Sequence, residues 1–449
     1  MHTITSALTL RRVILITLLV VPQQFWFRHA WRLSSRLSFK WKIASRIFIA
    51  FFAVTVVATL SDRLISPFIP RSIPPWIVSI SYLWLFTSIF AFFCIKAVHT
   101  IEWIWGIIKR LCAPLFAKRR VGEKSVDLPE IGRRTVPEGM ARENELPNPS
   151  RRSFFRYASA FVGTMPFLAG FYGYARERLN FQVVRVDVPI PNLPPTLNGF
   201  RIVQLSDVHA GDYMPPDEIR RAVNMANALS PHLAVVTGDI VSGAGDPLAE
   251  CVAELSRFRA PLGIWGCNGN HEIYAGAEDT AEQLFAAHGM KMLRSASTQL
   301  NWDGQNINLI GIDYQRQLEL TDARKPGLDG VESLVRRDMP NILLSHNPNS
   351  FYRAAELGIE LTISGHTHGG QISLEIVSHN VSPARFMTQF IAGLYGAPFK
   401  PASGLSGPDN TKFAERKCHL YVNRGLGTLG IPARLGARPE ITLLTLRPA

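Results

Sequence analysis

Between Arg28 and Arg46 the chain carries six basic residues and not one acidic residue. Cysteine is scarce too: five in 449 residues, none in a C-x-x-C pair. Cys94 and Cys112 lie in or near apolar runs, and Cys251, Cys267 and Cys418 form an odd set, which argues against a disulfide framework and leaves a single bridge among those three open. Residues 76–95 lack any charge over 20 positions, the length a bilayer helix needs. The positive excess, +13 overall, is missing from the C-terminal part. Residues 1–180 hold 25 Lys and Arg against 9 Asp and Glu; residues 181–449 hold 23 against 26. The C-terminal part therefore has no nucleic-acid signature. The basic residues of the N-terminal part sit beside apolar runs, where the positive-inside rule accounts for them.

The apolar runs differ in quality. Residues 13–27 are short for a span and are interrupted by Pro22 and two Gln. Residues 47–60 and 76–95 are strongly apolar, residues 101–117 are aromatic-rich and partly charged and suit an interface, and residues 157–175 form another uncharged stretch. These runs predict a multi-span membrane region over 1–117, a basic flexible linker over 118–156 and a membrane helix or signal-anchor over 157–175. Charge placement puts 28–46 and 118–156 on the cytoplasmic side and 61–75 outside, so that the helix at 157–175 delivers the rest of the chain outward. The stretch Ser150–Arg156 just before it resembles a twin-arginine export signal and reads equally well as the basic flank of a membrane helix.

From residue 182 the texture changes. Short β-branched runs recur at 200–205, 233–237, 262–266, 307–312, 342–345, 361–364, 420–423 and 441–446, with helical patterns at 216–228, 247–259, 280–288 and 349–357. This alternation predicts an α/β domain over 182–449, with two sheets flanked by helices.

Polar motifs follow five of these runs: Asp207-Val208-His209, Gly238-Asp239, Gly269-Asn270-His271-Glu272, His346, and Gly365-His366-Thr367-His368. A pair of divalent cations needs several Asp, His and Asn side chains converging on one point, and strand ends can bring them together from distant parts of a chain. Asp207 and His209, at i and i+2, are expected on one side, as are His366 and His368. A carboxylate has two oxygens, so Asp239 is the natural shared ligand.

In this order the motifs resemble the calcineurin-like metallophosphoesterase superfamily. The run Gly365–Gln371 and the closing Tyr421–Gly427 and Arg434–Ile441 are similar to a branch of membrane-anchored bacterial phosphodiesterases related to the UDP-2,3-diacylglucosamine pyrophosphatases. The resemblance implies a four-layer α-β-β-α sandwich preceded by a helical transmembrane region, and two divalent ions, Mn, Fe, Zn or Mg. By the same resemblance Asp207, His209 and His368 hold one metal, Asn270, His346 and His366 hold the other, and Asp239 bridges them. His271 meets the phosphate or protonates the leaving oxygen, with Asn270 beside it in the catalytic set. Asn268, where relatives usually carry an apolar residue, lines the pocket or disturbs the turn.

The expected reaction is hydrolysis of a phosphodiester or pyrophosphate bond by a hydroxide bridging two cations ~3.5–4 Å apart. The expected substrate is a phosphoester, lipid-linked or a nucleotide-sugar lipid. The expected partner is the lipid bilayer and not nucleic acid; the oligomeric state is left open. The expected location is the bacterial inner membrane, multi-pass, with the catalytic domain on the periplasmic side. The alternative is a non-catalytic membrane sensor that uses the metal domain as a binding module. Arg424, Arg434 and Arg438 read either as phosphate contacts or as surface arginines. Phe386, Met387, Phe390, Ile391, Leu394, Tyr395 and Phe399 read either as an acyl-binding insert or as an ordinary apolar cluster.

Overall fold

The computed structural model describes residues 2–65, 74–117, 151–315, 328, 330–376, 379–382, 385, 388–398 and 417–449. The linker expected at 118–156 lies outside this set up to residue 150, as do Phe386, Met387 and Phe399. The chain forms two compact units, one of Met1–Val57 with Trp84–Ala169, the other of Ala58–Leu83 with Gly170–Ala449.

The N-terminal elements are long helices: α1 (His2–Ser34), α2 (Phe39–Ile65), α3 (Pro75–Ala117) and α4 (Arg151–Tyr172). Two stretches, Phe39–Ala58 and Trp76–Cys112, are long and apolar enough to cross a bilayer. Two expectations change here. Residues 76–95 and 101–117 are one continuous helix, because Lys96, His99 and Glu102 are compatible with helical backbone and neither Gly nor Pro separates the runs. The run 13–27 is likewise one stretch of α1 that passes through Pro22. Gln23, which interrupts that run, is satisfied inside the bundle: its Nε2 donates to Ser88 Oγ (2.8 Å) and its Oε1 accepts from Trp84 Nε1 (2.9 Å). A polar side chain among apolar helices is tolerated when it is hydrogen-bonded.

The second unit carries two six-stranded sheets among the described residues. The first contains β1 (Gln182–Ile190), β2 (Arg201–Leu205), β3 (Leu233–Thr237), β4 (Ile264–Cys267), β5 (Lys291–Met292) and β14 (Glu440–Pro448), in the order β1-β14-β2-β3-β4-β5. The second contains β6 (Ala296–Trp302), β7 (Gln305–Gly311), β8 (Asn341–Leu344), β9 (Leu361–Ser364), β12 (Gly393–Pro398) and β13 (Lys417–Val422), in the order β12-β13-β9-β8-β7-β6. A small hairpin, β10 (Leu374–Ile376) with β11 (His379–Val381), stands apart. The helices are α5 (Pro216–Asn227), α6 (Leu248–Leu255), α7 (Asn270–Ala275), α8 (Glu278–Ala287) and α9 (Phe351–Leu357).

The side-chain period of two explains the layers. In β2 and β3, Val203, Leu205, Ala234 and Val236 pack beneath α5, α6 and α8, while Ile202, Leu233 and Val235 point to the other sheet. There they meet Leu309, Ile342, Leu344, Leu361 and Ile363. On the far side Ile310 and Leu343 pack against Ala354 of α9. The result is helices, sheet, sheet, helices, as expected. Phe390 and Ile391 are buried; Phe390 packs with Phe351, Leu420 and Val422 in a core cluster, and Leu394 is exposed.

Gln204 crosses between the sheets, donating to Ser364 O (2.9 Å) and Thr237 Oγ1 (2.7 Å). A second crossing centres on the fully buried Glu440 of β14. It accepts from Tyr421 of β13, from Thr442 Oγ1 (2.6 Å) and from Arg424 Nη1 (2.5 Å). Removing one partner of such a group strands the others. Glu440→Ala is expected to lower unfolding stability by about 3 kcal/mol and Tyr421→Phe by about 1 kcal/mol. Denaturant titration of both variants checks this; equal and negligible losses would contradict the crossing's role.

Candidate metal centre

The expected site residues converge at the C-terminal ends of β2, β3, β4, β8 and β9, which adjoin in the two sheets. Asp207, His209, Asp239, Asn270, His346 and His368 are all buried, while His271 and His366 are half-buried. Their donor atoms meet in two groups. In the first, His209 Nε2 lies 3.1 Å from His368 Nε2, and His368 Nε2 lies 3.4 Å from Asp207 Oδ1. In the second, His366 Nδ1 lies 2.8 Å from Asn270 Oδ1 and 3.2 Å from His346 Nε2. Asp239 Oδ2 sits between the groups, 3.0 Å from His346 Nε2 and 3.7 Å from His209 Nε2. Asp207, His209 and His368 form one cluster able to hold an ion, Asp239, His346 and His366 form another, and His209, Asp239 and His271 form a third that overlaps both.

The backbone achieves this in a way strand periodicity did not foresee. Asp207, His209, Asp239, His366 and His368 have φ of 49, 47, 52, 75 and 52°. Non-glycine residues rarely hold this left-handed region, and clusters of them mark functional sites. His366 and His368 consequently go to different donor groups, although residues i and i+2 of a strand would share a side. Between two of these loops the clearance leaves room only for glycine: at Gly238, φ is +79°, and a Cβ would lie 2.5 Å from Gly269 N.

Outer partners fix the rings. His346 Nδ1 donates to Thr237 O (2.7 Å), which turns Nε2 inward. Ser242 holds two rings at once. Its Oγ is 3.0 Å from His209 Nδ1, and its carbonyl accepts from His271 Nδ1 (2.7 Å). Asp246 in turn accepts from the N–H groups of Ser242 (2.7 Å) and Gly243 (2.8 Å). Such contacts set the tautomer and aim of a ligand. The His271 N–H donates to Asp239 Oδ1 (2.9 Å).

Burial dominates the electrostatics. It drives His209 down to about 3, His366 to about 4 and His368 well below the usual imidazole value, so these rings are neutral and carry lone pairs. Burial also lifts Asp207 to about 6. His346 is the exception: burial opposes its charge, but the Asp239 and Asp207 carboxylates prevail and raise it to about 10. Burial pushes Asp239 upward, yet His346 and its neighbours hold it below the usual carboxylate range. His346 thus lies between two carboxylates, which favour a positive charge at this point of the site. Two carboxylates, four imidazoles and an amide oxygen, all converging, suit a borderline divalent ion such as Mn, Fe or Zn.

A model of the calcineurin-like phosphoesterase family matches residues 200–370. Residues 200–370 form a calcineurin-like phosphoesterase domain. Domains of that family hydrolyse phosphoester bonds and use divalent metals. The chain is 32% identical over 278 residues to a Bos taurus transmembrane protein with metallophosphoesterase domain, an alignment covering 60% of this chain and 57% of that protein. The chain therefore spans less than two thirds of that relative's length. It is 29% identical over 305 residues to the uncharacterized metallophosphoesterase YkuE of Bacillus subtilis, covering 66% of this chain and 98% of the relative. It is also 29% identical over 310 residues to the UDP-2,3-diacylglucosamine pyrophosphatase LpxG of Chlamydia trachomatis, covering 59% and 88%. Membrane-protein relatives and the two apolar helices together support a membrane protein.

Other expectations resolve differently. All five cysteines are free. Arg434 is neither a surface residue nor a phosphate contact. It is fully buried and donates to the carbonyls of Arg424, Gly425, Gly427 and Ala437, with Nη2 3.3 Å from His368 Nδ1. Arg424 pairs with Glu440, and Arg438 bonds Asn180. Asn268 is buried and donates to Asp313 Oδ1 (2.8 Å), so the turn is intact. Sequence reasoning passed over Ser242 and Asp246, whose only signal is their place just after Gly238-Asp239.

It also left Glu272 without a role. This fully buried carboxylate accepts from the N–H groups of Asp239 (2.8 Å), Ile240 (2.7 Å), Val241 (3.2 Å) and Gly269 (2.7 Å), tying the β3 loop to the start of α7. Glu272→Ala leaves four buried donors without partners and is expected to cost on the order of 4 kcal/mol, with Glu272→Gln intermediate. Thermal melts of the two variants check this; a wild-type Tm for the alanine form would refute the tie.

Proposed function

We propose that Asp207, His209 and His368 hold one divalent ion, that Asn270, His346 and His366 hold a second, and that Asp239 serves both. The single observation that carries this reading is the pair of buried donor groups with Asp239 Oδ2 between them. Bound divalent ions supply Lewis acidity toward phosphoryl oxygens and acidify water held there. The chain's own residues do the rest. Ser242 and Thr237 orient the His209 and His346 rings so that Nε2 of each faces the other donor atoms. Because Nδ1 of His271 is committed to the Ser242 carbonyl, its Nε2 is the ring atom left to face a leaving oxygen, to which the ring would give a proton as the imidazolium. Asn270 offers an uncharged oxygen, which lets a phosphate approach without meeting a third carboxylate.

The reaction is hydrolysis of a phosphodiester or pyrophosphate, with a lipid-linked substrate suggested by the apolar helices and by the likeness to LpxG. Full-length protein with Mn²⁺ should hydrolyse bis-p-nitrophenyl phosphate. Asp239→Ala should lose activity by about 1000-fold and His271→Ala by about 100-fold, the latter with its metal content intact by plasma mass spectrometry. Wild-type turnover in either variant would exclude the assignment.

The basic loop at 28–46 favours a multi-pass arrangement in a bacterial inner membrane, with α4 carrying the catalytic unit to the periplasmic side. A C-terminal alkaline phosphatase fusion should then be active in cells; a silent fusion that still produces stable protein places the domain in the cytoplasm.

A further inference from the structure

The turn that ends α4 touches the loop of a buried arginine, and that arginine reaches the first donor group. We propose that Gly173 and Glu177 position Arg434, and that Arg434 in turn positions Asp207, His209 and His368. The end of α4 then governs one ion of the pair and not the other. The inference rests on the two-ion reading of the site and adds what controls it.

The contacts start where α4 gives way to a π-helical turn, Gly173–Glu177. Such turns are rare and recur at functional sites. This one belongs to the same compact unit as the two sheets. Gly173 is buried, and its carbonyl accepts from Arg434 N (3.3 Å). A Cβ at Gly173 would lie 2.5 Å from Arg434 O, so even a methyl group must push the turn and the arginine loop apart. Four residues on, Glu177 Oε2 accepts from Gly436 N (2.8 Å). The turn thus grips the 434–436 loop at both ends. The same loop is also paired to the chain just beyond His368: Leu435 N donates to Gln371 O (3.0 Å), and Ser373 N donates to Leu435 O (2.8 Å).

Arg434 carries that position inward. Its guanidinium is fully buried and donates to backbone carbonyls, Nη1 to Arg424 (2.8 Å), Nη2 to Gly425 (3.1 Å) and Nε to Gly427 (3.1 Å). A planar fork of this kind fixes its partners in direction as well as distance. The three carbonyls belong to a loop that backs Asp207 and His209. Leu426 N donates to Ser206 O (3.0 Å) and Gly427 N to Asp207 O (2.8 Å). The fit is close: a Cβ on Gly425 would lie 2.6 Å from Asp207 Cβ, and one on Gly427 would lie 2.9 Å from His209 Cβ. The guanidinium also lies 3.4 Å from His368 O and 3.3 Å from His368 Nδ1. One arginine therefore sets all three residues of the first donor group. Asn270 and His346 are held elsewhere, by the Glu272 tie and by the Thr237 carbonyl.

The test uses full-length protein in lipid nanodiscs, stripped of metal and titrated with Mn²⁺ by calorimetry. The parent protein should take up two ions. Gly173→Ala should weaken one of them about tenfold, the scale of a lost outer partner, and leave the other unchanged. Glu177→Ala, which removes only the Gly436 contact, should weaken the same ion by a smaller factor. In the metal-free protein, the Leu426 and Gly427 amides should exchange with solvent about tenfold faster in Gly173→Ala, while the Asp239 and Ile240 amides keep their rates. Saturating Mn²⁺ should restore turnover of bis-p-nitrophenyl phosphate in both variants. Equal weakening of both ions, or unchanged affinities and exchange rates in both variants, overturns the inference and leaves the two-ion reading standing. Uptake of fewer than two ions by the parent protein removes both.

Discussion

The geometry of the strand ends depends on a carboxylate that takes no part in the donor set. Glu272 gathers four backbone N–H groups from two loops, and those loops present Asp239, Asn270 and His271. A buried carboxylate is costly unless its lone pairs are met, and here the backbone meets them. The same bonds clamp the β3 loop against the first turn of α7. Asp239 can therefore stand between two clusters of imidazoles without relaxing toward either. Burial and charge pull its neighbours in opposite directions: burial favours the neutral form of His209, His366 and His368, while the carboxylates favour the charged form of His346.

The price of this convergence is backbone strain. Five of the converging side chains sit in left-handed backbone, each a conformation that non-glycine residues hold only when their surroundings insist. The surroundings do so through the Glu272 clamp, the five carbonyls gathered by Arg434, that of His368 included, and the glycine contact between the β3 and β4 loops. The two sheets are held at fixed spacing by polar crossings at Gln204 and Glu440 as well as by apolar packing.

Much of this was legible in the sequence. The eight apolar runs named beforehand correspond to β2, β3, β4, β7, β8, β9, β13 and β14, because buried strands leave continuous β-branched text. The seven expected ligands do converge, because chemistry of this kind needs those residue types at those strand ends. Other elements were hidden. β6 reads as polar alternation, although the Asp303-Gly304 turn that joins it to β7, with φ of 49 and 80°, is a recognisable hairpin signal. β12 is rich in glycine and ends in proline, so it carries no strand text. The burial of Arg434 could not be read because its partners are backbone carbonyls, which leave no trace in residue identity. Ser242 was invisible for the same reason: half of what it does is done by its carbonyl.

Helix α3 has one more consequence. Its 43 residues, at ~1.5 Å rise each, make a rod about 65 Å long. The hydrocarbon core of a bilayer is about 30 Å thick. Tilt absorbs only part of the excess, so a helix of this length that crossed a bilayer would continue several turns past the lipid. Its last third, with Glu102, Lys109 and Arg110 among seven bulky apolar residues between 101 and 111, has the mixed composition that suits such a boundary. One element thus meets three solvents in sequence, and its residues change along its length to suit each.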